Sequence, residues 1–490
     1  MTMFVDRAKL TAVLGAEVPL SVRGVGGVTY DSRCVGEGFA FVAVPGFKRD
    51  GTEFAAEAVR RGASLVVAER DVSGVPTAVV GDVRAALAAL AVQVNGDPSA
   101  SMLVYGVTGT NGKTTTSYVL HGILAGAHGE GECGLMTTAE IIAGGERRPA
   151  VRTTPEATEV QCTLARMLGS GVRRVVMEVS SHGVALGRVA GTSFAGAIFT
   201  NLTRDHLDLH GSMEAYYAAK RELFHMTEGP KLANADDAHG RRLAGEVEGV
   251  STFGMADDAD FRVADVEATR EGTSFDLRHP GGVVRLQTPL LGPYNVLNVA
   301  GAASLALAVG TGEEAMVRAV RGMGQVPGRF ERVAAAGDKG FEVIVDYAHT
   351  DVGLDAVLRV ARSVAEVGEG RVVCVFGAAG DRDGAKRPRM GLVASRLADV
   401  SIITTDDAYS EDPQKIAREV QAGADPSRTR VELDRREAIR QALEAAREGD
   451  VVVVAGKGHE TVQHLPAGDI PFHDATVVGE LLAEIGEPRR

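Results

Sequence analysis

The sequence predicts an α/β protein of several domains built on mostly parallel sheets, and three observations carry that prediction. Apolar runs of strand length alternate with Ala-rich helical stretches along most of the chain, as βαβ units require. At 490 residues the chain is too long for one hydrophobic core, so roughly two to four domains are expected. The apolar run Val104-Tyr105-Gly106-Val107 leads into a glycine-rich turn that ends in Gly112-Lys113-Thr114, at the start of a helix-compatible run. In that strand–loop–helix order, backbone N–H groups and a helix N-terminus converge on phosphate.

Taken in order, residues 1–98 form a first domain. Its strand candidates are Phe39–Val44 and Leu65–Ala68, with a helical stretch from Phe54 to Arg61. Asn95-Gly96-Asp97-Pro98-Ser99 has linker chemistry. Residues 99–328 open with the glycine turn and repeat strand-then-helix units, with Val175–Met177 and Ala197–Phe199 as buried strands. From about Asp257 to Leu290, Val263, Val266, Phe275 and Val283–Leu286 alternate with polar residues, which predicts a small antiparallel insertion. A hinge is expected at Val326–Phe330. Residues 329–490 carry Phe341–Val345, Val372–Phe376, Val400–Ile403 and Val451–Val454 as strands of another parallel sheet. There is no internal repeat.

Composition excludes several classes. A net charge of −13 argues against a general nucleic-acid binder. The four cysteines lack paired metal spacing and read as reduced thiols of a cytoplasmic protein. Asp6, Arg7, Lys9 and Glu17 break up the first twenty residues, so no signal peptide is expected, and no apolar run reaches membrane-spanning length.

The glycine turn carries the first chemistry. Gly109, Thr110, Asn111, Gly112 and Thr115 line a nest of N–H groups, Lys113 supplies a mobile cation, and Thr114 offers a hydroxyl to Mg²⁺. This predicts ATP or GTP binding, although Val107 stands where the standard loop has glycine. Glu178 closes the strand after Val175 and is placed to hold Mg²⁺ at a carboxyl strand end. Asp205, His206, Asp208 and His210 could ligate a metal or merely decorate a loop. Lys220 lies on a helical stretch where an isolated lysine would normally face solvent.

Together, Gly109–Thr114, Glu178-Val179-Ser180-Ser181-His182, Asp205-His206 and Lys220 resemble the ATP-dependent Mur ligases of peptidoglycan synthesis, most specifically the MurE type. That type adds the third stem-peptide residue to UDP-N-acetylmuramoyl-L-alanyl-D-glutamate. The resemblance runs almost end to end and implies three domains: uridine-nucleotide-binding, central ATP-binding and a C-terminal Rossmann-like domain for the amino acid. It assigns Ser32, Arg33, Thr153, Thr154, Ser181 and Arg188 to the UDP-muramoyl substrate. Asn295, Asn298, Arg329 and Asp346 join the ATP site, and His349 the catalytic set with Lys113 and Lys220. Lys220 is implied to be carbamoylated, a carboxylate-like Mg²⁺ ligand beside Thr114, Glu178 and His206. The implied reaction runs through an acyl phosphate, so Ser180 and Ser181 are not nucleophiles. ATP, the muramoyl dipeptide and an amino acid are the expected partners of a monomeric, cytoplasmic enzyme, with no nucleic acid and no membrane.

The amino-acid end departs from the family pattern. Members that take meso-diaminopimelate show Asp-Asn-Pro-Arg, whereas this chain has Asp406-Asp407-Ala408-Tyr409, and a phenol does not substitute for a bidentate cation. Gly456-Lys457-Gly458-His459-Glu460 and Arg382 keep the diaminopimelate-type pattern. A diamino acid, diaminopimelate first, is therefore expected, with Arg382, Asp406, Asp407, Tyr409, Gly456 and Glu460 as its contacts. The alternatives are a paralogue ligating another amino acid or substrate in specialised metabolism, or a non-catalytic nucleotide-binding relative.

Overall fold

The computed structural model describes residues 3–46, 49–269 and 271–485. The chain gathers into two compact units. The first takes residues 1–264, 276–284 and 297–320; the second takes 265–275, 285–296 and 321–490. The segments expected as separate first and second domains thus cluster together. The helix Val83–Asn95 of the first packs along the helix Ala157–Gly169 of the second.

The first segment is a four-stranded parallel sheet of Gly27–Thr29, Phe39–Val42, Ala63–Ala68 and Thr77–Val79, in chain order. The Asp82 carboxylate caps the helix Val83–Asn95, whose Leu87, Leu90 and Val94 fill the core above Leu65 and Val67. The expected linker is ordered: Asn95 ends that helix, Gly96 closes it in the left-handed region, and Pro98–Ser101 forms a short turn.

The large sheet of the first unit runs parallel through its middle. Cys133–Met136, Arg174–Glu178, Leu103–Thr108, Gly196–Phe199, Lys231–Asn234 and Val250–Gly254 lie side by side in that order. Both faces are covered at the centre of the sheet, so Val104, Val175, Met177, Ala197 and Phe199 are all buried and the central strands are largely apolar. The expected insertion appears as Phe261–Ala268, Thr273–His279 and Gly282–Thr288. Unforeseen was an antiparallel edge, Glu140–Ala143 with Glu146–Pro149, joined to Cys133–Met136. Its residues are half polar and it turns at Gly144-Gly145, a hairpin signal lost among many glycines. Because the central strands are parallel, Thr108, Glu178 and Phe199 end on the same edge of the sheet.

The second unit holds a six-stranded sheet ordered Glu331–Arg332, Glu342–Asp346, Val451–Ala455, Val372–Phe376, Val400–Ile403, Thr429–Val431. It is parallel except for the first edge strand. The helix Asp351–Val367 buries Leu354, Leu358 and Ala361 on one face, and Ile439, Val478 and Leu481 cover the other. A hairpin of Val462–Leu465 and Gly468–Pro471 follows the last core strand.

Candidate active site

Gly109 leaves its strand at φ 149°, and a Cβ there would overlap the Thr200 hydroxyl, so only glycine fits. The loop is braced from the neighbouring strand end. Thr110 N–H donates to Asn201 O (2.9 Å), Asn111 N–H to the Asn201 side chain (3.0 Å), and the Thr200 hydroxyl to Asn111 O (2.6 Å). Thr110 also bonds Thr203 N–H and the Tyr216 hydroxyl. Asn298, from the helix Pro293–Ala308, accepts from Thr116 (3.3 Å) and lies against Gly112. Val107 sits fully buried inside the strand, paired beside Glu178, so the departure from the standard loop falls where the chain is still β.

Lys113 folds back to donate to Gly109 O (3.1 Å) and Thr110 O (2.9 Å). Lys220, which helical position alone would leave in solvent, is instead buried, 1% exposed. The helix Met213–His225 packs through Tyr216, Tyr217, Leu223 and Phe224, and Lys220 shares that inward face. Its ammonium donates to the same Gly109 carbonyl (2.7 Å) and lies over the Tyr216 ring. Burial first, and the Lys113 charge second, push its pKa well below the usual lysine value. His206, held in the left-handed region with its N–H on Asp205, is pushed down to about 4, chiefly by burial. It is a neutral lone-pair donor. Glu178 is 1% exposed, and its Oε1 accepts the Thr138 N–H (3.0 Å).

The donor set can be tested against Mg²⁺. Among the described residues, no three His, Cys, Asp or Glu side chains form a ready-made cage. Mg²⁺ is commonly held by one or two carboxylates plus phosphate oxygens, so Glu178 and Thr114 fit it in that mode. Lys220 fits only once its positive charge is replaced by a carbamate, which would keep one N–H for Gly109.

Of the residues assigned to the muramoyl substrate, Thr154 is internal. Its hydroxyl donates to Glu178 O (3.0 Å) and accepts from Ser180 N–H and Oγ. Its carbonyl accepts from Arg188, which pairs with Glu156 (2.8 Å). Thr153 donates to Thr138, Ser32 is buried, and Arg33 forms an exposed fork with Asp31. The Ser181 hydroxyl is buried with no hydrogen-bond partner, an orphan of the kind a ligand satisfies.

In the second unit, Asp346 ends its strand and accepts the N–H groups of Phe330 (2.6 Å) and Ala348 (2.8 Å); burial raises its pKa. His349 donates from Nδ1 to Tyr347 O, leaving Nε2 as the basic nitrogen. Arg329 lies over the Tyr347 ring. Asn295 holds Leu291 O.

The amino-acid residues converge around Lys457, whose Nζ donates to Asp407 (2.8 Å) and Glu460 (3.1 Å). Burial would lower the Lys457 pKa, but Asp406, Glu460 and Asp407 outweigh it and hold the ammonium charged. Burial raises Glu460, which also accepts from the Tyr347 hydroxyl. Gly456, at φ 119°, admits the Asp406 carboxylate against its backbone. Beneath lies a fully buried pair, Arg435 with Asp474, its guanidinium also on Ala455 O. Asp406 and Asp407 are buried and brace this cluster from within. The sequence shows Lys457 only as a member of its glycine motif, with no sign of the charge it supplies, and Tyr347 only as an isolated aromatic. Likewise Thr200 and Asn201 give no local sign that they buttress a loop some ninety residues earlier.

Comparison with known proteins agrees with this arrangement. Three Mur ligase family models match in order: the catalytic domain of the family at residues 24–103, the middle domain at 107–306 and the glutamate ligase domain at 328–458. A UDP-N-acetylmuramoyl-L-alanyl-D-glutamate–2,6-diaminopimelate ligase of Solibacter usitatus is 42% identical over 478 residues, covering 94% of each chain. The corresponding Geobacillus kaustophilus ligase is 43% identical, covering 93% of this chain and 94% of that one. A solved structure of a ligase with the same description superposes with a TM-score of 0.67 at 30% identity, covering 98% of this chain and 99% of that one. MurF of Thermotoga maritima in complex with ADP shares the fold, with a TM-score of 0.63 at 20% identity, over 93% and 97%. With three of its family models matched in order and relatives 42–43% identical over nearly its whole length, the chain belongs to the Mur ligase family.

Proposed function

We propose that the chain is an ATP-dependent ligase of the MurE type, joining 2,6-diaminopimelate to UDP-N-acetylmuramoyl-L-alanyl-D-glutamate in the cytoplasm. The observation that weighs most is the pairing of Lys113 and Lys220 on one carbonyl of the phosphate loop. Two ammonium groups so close disfavour each other, and the buried Lys220 is the one that yields its proton. A neutral amine attacks CO₂, forming N–C and releasing a proton, and the resulting carbamate is an anion beside Glu178 and Thr114.

A muramoyl-dipeptide carboxylate oxygen attacks the γ-phosphorus of ATP, ADP leaves, and an acyl phosphate forms. Lys113, moving from its loop carbonyls to the phosphates, offsets the charge that develops. Mg²⁺ held by Glu178, Thr114, His206 and carbamoylated Lys220 would supply the remaining charge neutralisation. The amine of the incoming amino acid then attacks the acyl carbon. The tetrahedral species expels phosphate, the nitrogen loses a proton, and an amide remains. No protein nucleophile is required. We assign Ser181 and Arg188 to the muramoyl dipeptide and Asn295, Asn298, Arg329, Asp346 and His349 to the nucleotide side. We keep three domains at 1–98, 99–328 and 329–490, a division that the order of the three matched models, at 24–103, 107–306 and 328–458, supports.

The pocket in the second unit supports a diamino acid. Asp406, Asp407, Glu460 and Asp474 gather around Lys457 and Arg435, a concentration of carboxylates that favours an added ammonium. Phosphate release tests the reading. We expect it to require ATP, the UDP-muramoyl dipeptide and a diamino acid together, with the ligated product seen by mass spectrometry. Release that ignores the dipeptide would sink the proposal.

A further inference from the structure

The Glu178 carboxylate is oriented by a turn that leaves the neighbouring strand. Arg174–Glu178 and Cys133–Met136 run parallel with Met177 beside Met136, so the residues after Met136 emerge next to Glu178. Three hydrogen bonds close that turn. Thr137 N–H and the Thr137 hydroxyl both donate to Glu140 O (3.0 and 2.9 Å), and Glu140 N–H donates back to the Thr137 hydroxyl (3.2 Å). Inside the turn, Thr138 N–H donates to Glu178 Oε1 (3.0 Å), and the Thr138 hydroxyl accepts from Thr153 (3.2 Å). A shift at Glu140 is therefore felt at Glu178.

Glu140 in turn is tied to the phosphate-loop helix. Tyr118 stands four residues after Thr114 in the helix Lys113–His128, one turn along the same face. Its hydroxyl donates to Glu140 Oε1 at 2.6 Å, a short bond of the kind a charged acceptor makes. Arg147, across the hairpin, donates to the same oxygen (2.6 Å), but its side chain is 63% exposed against 14% for Glu140. An exposed ion pair contributes little, so the half-buried phenol is the firmer tie. The hairpin does not depend on this tie for its seating. Ile141 and Ile142 are buried and pair with Met136 and Leu135, and that ladder holds it to the sheet. What the tie sets is the place of the turn relative to Thr114.

We propose that Tyr118 and Glu140 are positioning residues for the metal centre. Through the turn Thr137–Glu140 they fix the Thr138 N–H that orients Glu178, and they register that carboxylate against Thr114, one helical turn from Tyr118. Outer partners of this kind decide where a metal-ligating carboxylate points and how tightly it binds. The proposal rests on the assignment of Glu178 and Thr114 to Mg²⁺ made above.

The test uses Mn²⁺, which takes the same oxygen ligands as Mg²⁺ and is counted free or bound by electron paramagnetic resonance. Its affinity is measured in the full-length protein with a non-hydrolysable ATP analogue, for wild type, E178Q, Y118F, E140A and E140Q. Y118F keeps the ring and removes only the hydroxyl. We expect Y118F and E140A to weaken Mn²⁺ binding about tenfold, the lower end of the range for lost outer partners. E140Q keeps an acceptor for the phenol and should change it less than about threefold. Phosphate release at low Mg²⁺ should fall in the same order, and saturating Mg²⁺ should restore kcat in Y118F and E140A. Unchanged Mn²⁺ affinity in those two variants, with E178Q weakened, overturns the proposal and leaves the metal assignment standing. An E140Q loss as large as that of E140A overturns it too, since the charge of Glu140 and not its place in the turn is then what counts. A kcat that saturating Mg²⁺ does not restore marks a general structural effect and does the same. An E178Q variant that binds Mn²⁺ as the wild type does overturns both the proposal and the metal assignment.

Discussion

Replacing Lys220 with methionine separates the catalytic from the structural meaning of a buried lysine. Methionine is one atom shorter but keeps an unbranched apolar stem, so little space opens between Tyr216 and the loop. One hydrogen bond is lost, to Gly109 O at 2.7 Å, but that carbonyl still accepts from Lys113 at 3.1 Å and is not orphaned. The lost bond costs about 1 kcal/mol. Against it stands relief from burying an amine beside a like charge. The native pKa of Lys220 lies below 10.5. The unfolded chain therefore binds a proton that the native state does not, and stability falls as pH drops from 10.5 towards the native pKa. Methionine abolishes that cost, so the net change in stability is expected within about 2 kcal/mol, a few degrees in Tm. Activity should fall about 10³-fold, as when a preorganised charge-stabilising group is lost. The assay pairs thermal unfolding with phosphate release in CO₂-depleted and bicarbonate-supplemented buffer. Bicarbonate should stimulate the wild type and leave K220M unchanged. A K220M enzyme within tenfold of wild type, or wild-type turnover indifferent to bicarbonate, would refute the reasoning.

Three further outcomes are expected. Gly109→Ala drives a Cβ into the Thr200 hydroxyl, which cannot turn away without leaving Asn111 O. ATP affinity measured by calorimetry should drop at least about tenfold, with about 1–3 kcal/mol of stability lost. Arg435→Met strands a buried Asp474 carboxylate and should cost about 3–5 kcal/mol in urea unfolding, whereas R435M/D474L should recover most of it. His121 is half-buried, its Nε2 is shut from solvent without a hydrogen-bond partner, and desolvation lowers its pKa to about 4. Folding therefore excludes a proton from it between pH 6.5 and 4. Wild-type stability should fall by up to about 3 kcal/mol across that window, and H121L should flatten the slope.

Much of this molecule is written locally. Buried parallel strands are continuous apolar runs, so Val372–Phe376, Val400–Ile403 and Val451–Ala455 appear almost to the residue. The phosphate loop and Glu178 at its strand end are equally legible, because glycine spacing and strand termination are short-range properties. The hairpin Glu140–Pro149 was not, since its strands are short and half polar. Lys220 shows the sharper limit. Motif spacing identified it, yet its helix alone would place it in water. Only the packing of Tyr216, Tyr217 and Phe224 turns it inward onto Gly109, where desolvation and Lys113 alter its chemistry. The same holds for Thr154, whose hydroxyl ties Glu178 to Ser180, and for Asp407, which serves Lys457 fifty residues away. Periodicity and turn chemistry depend on neighbours in sequence, and the chain alone determines them. Burial, charge pairing and the tie between Tyr118 and Glu140 join residues from separate elements, and only the tertiary structure decides those.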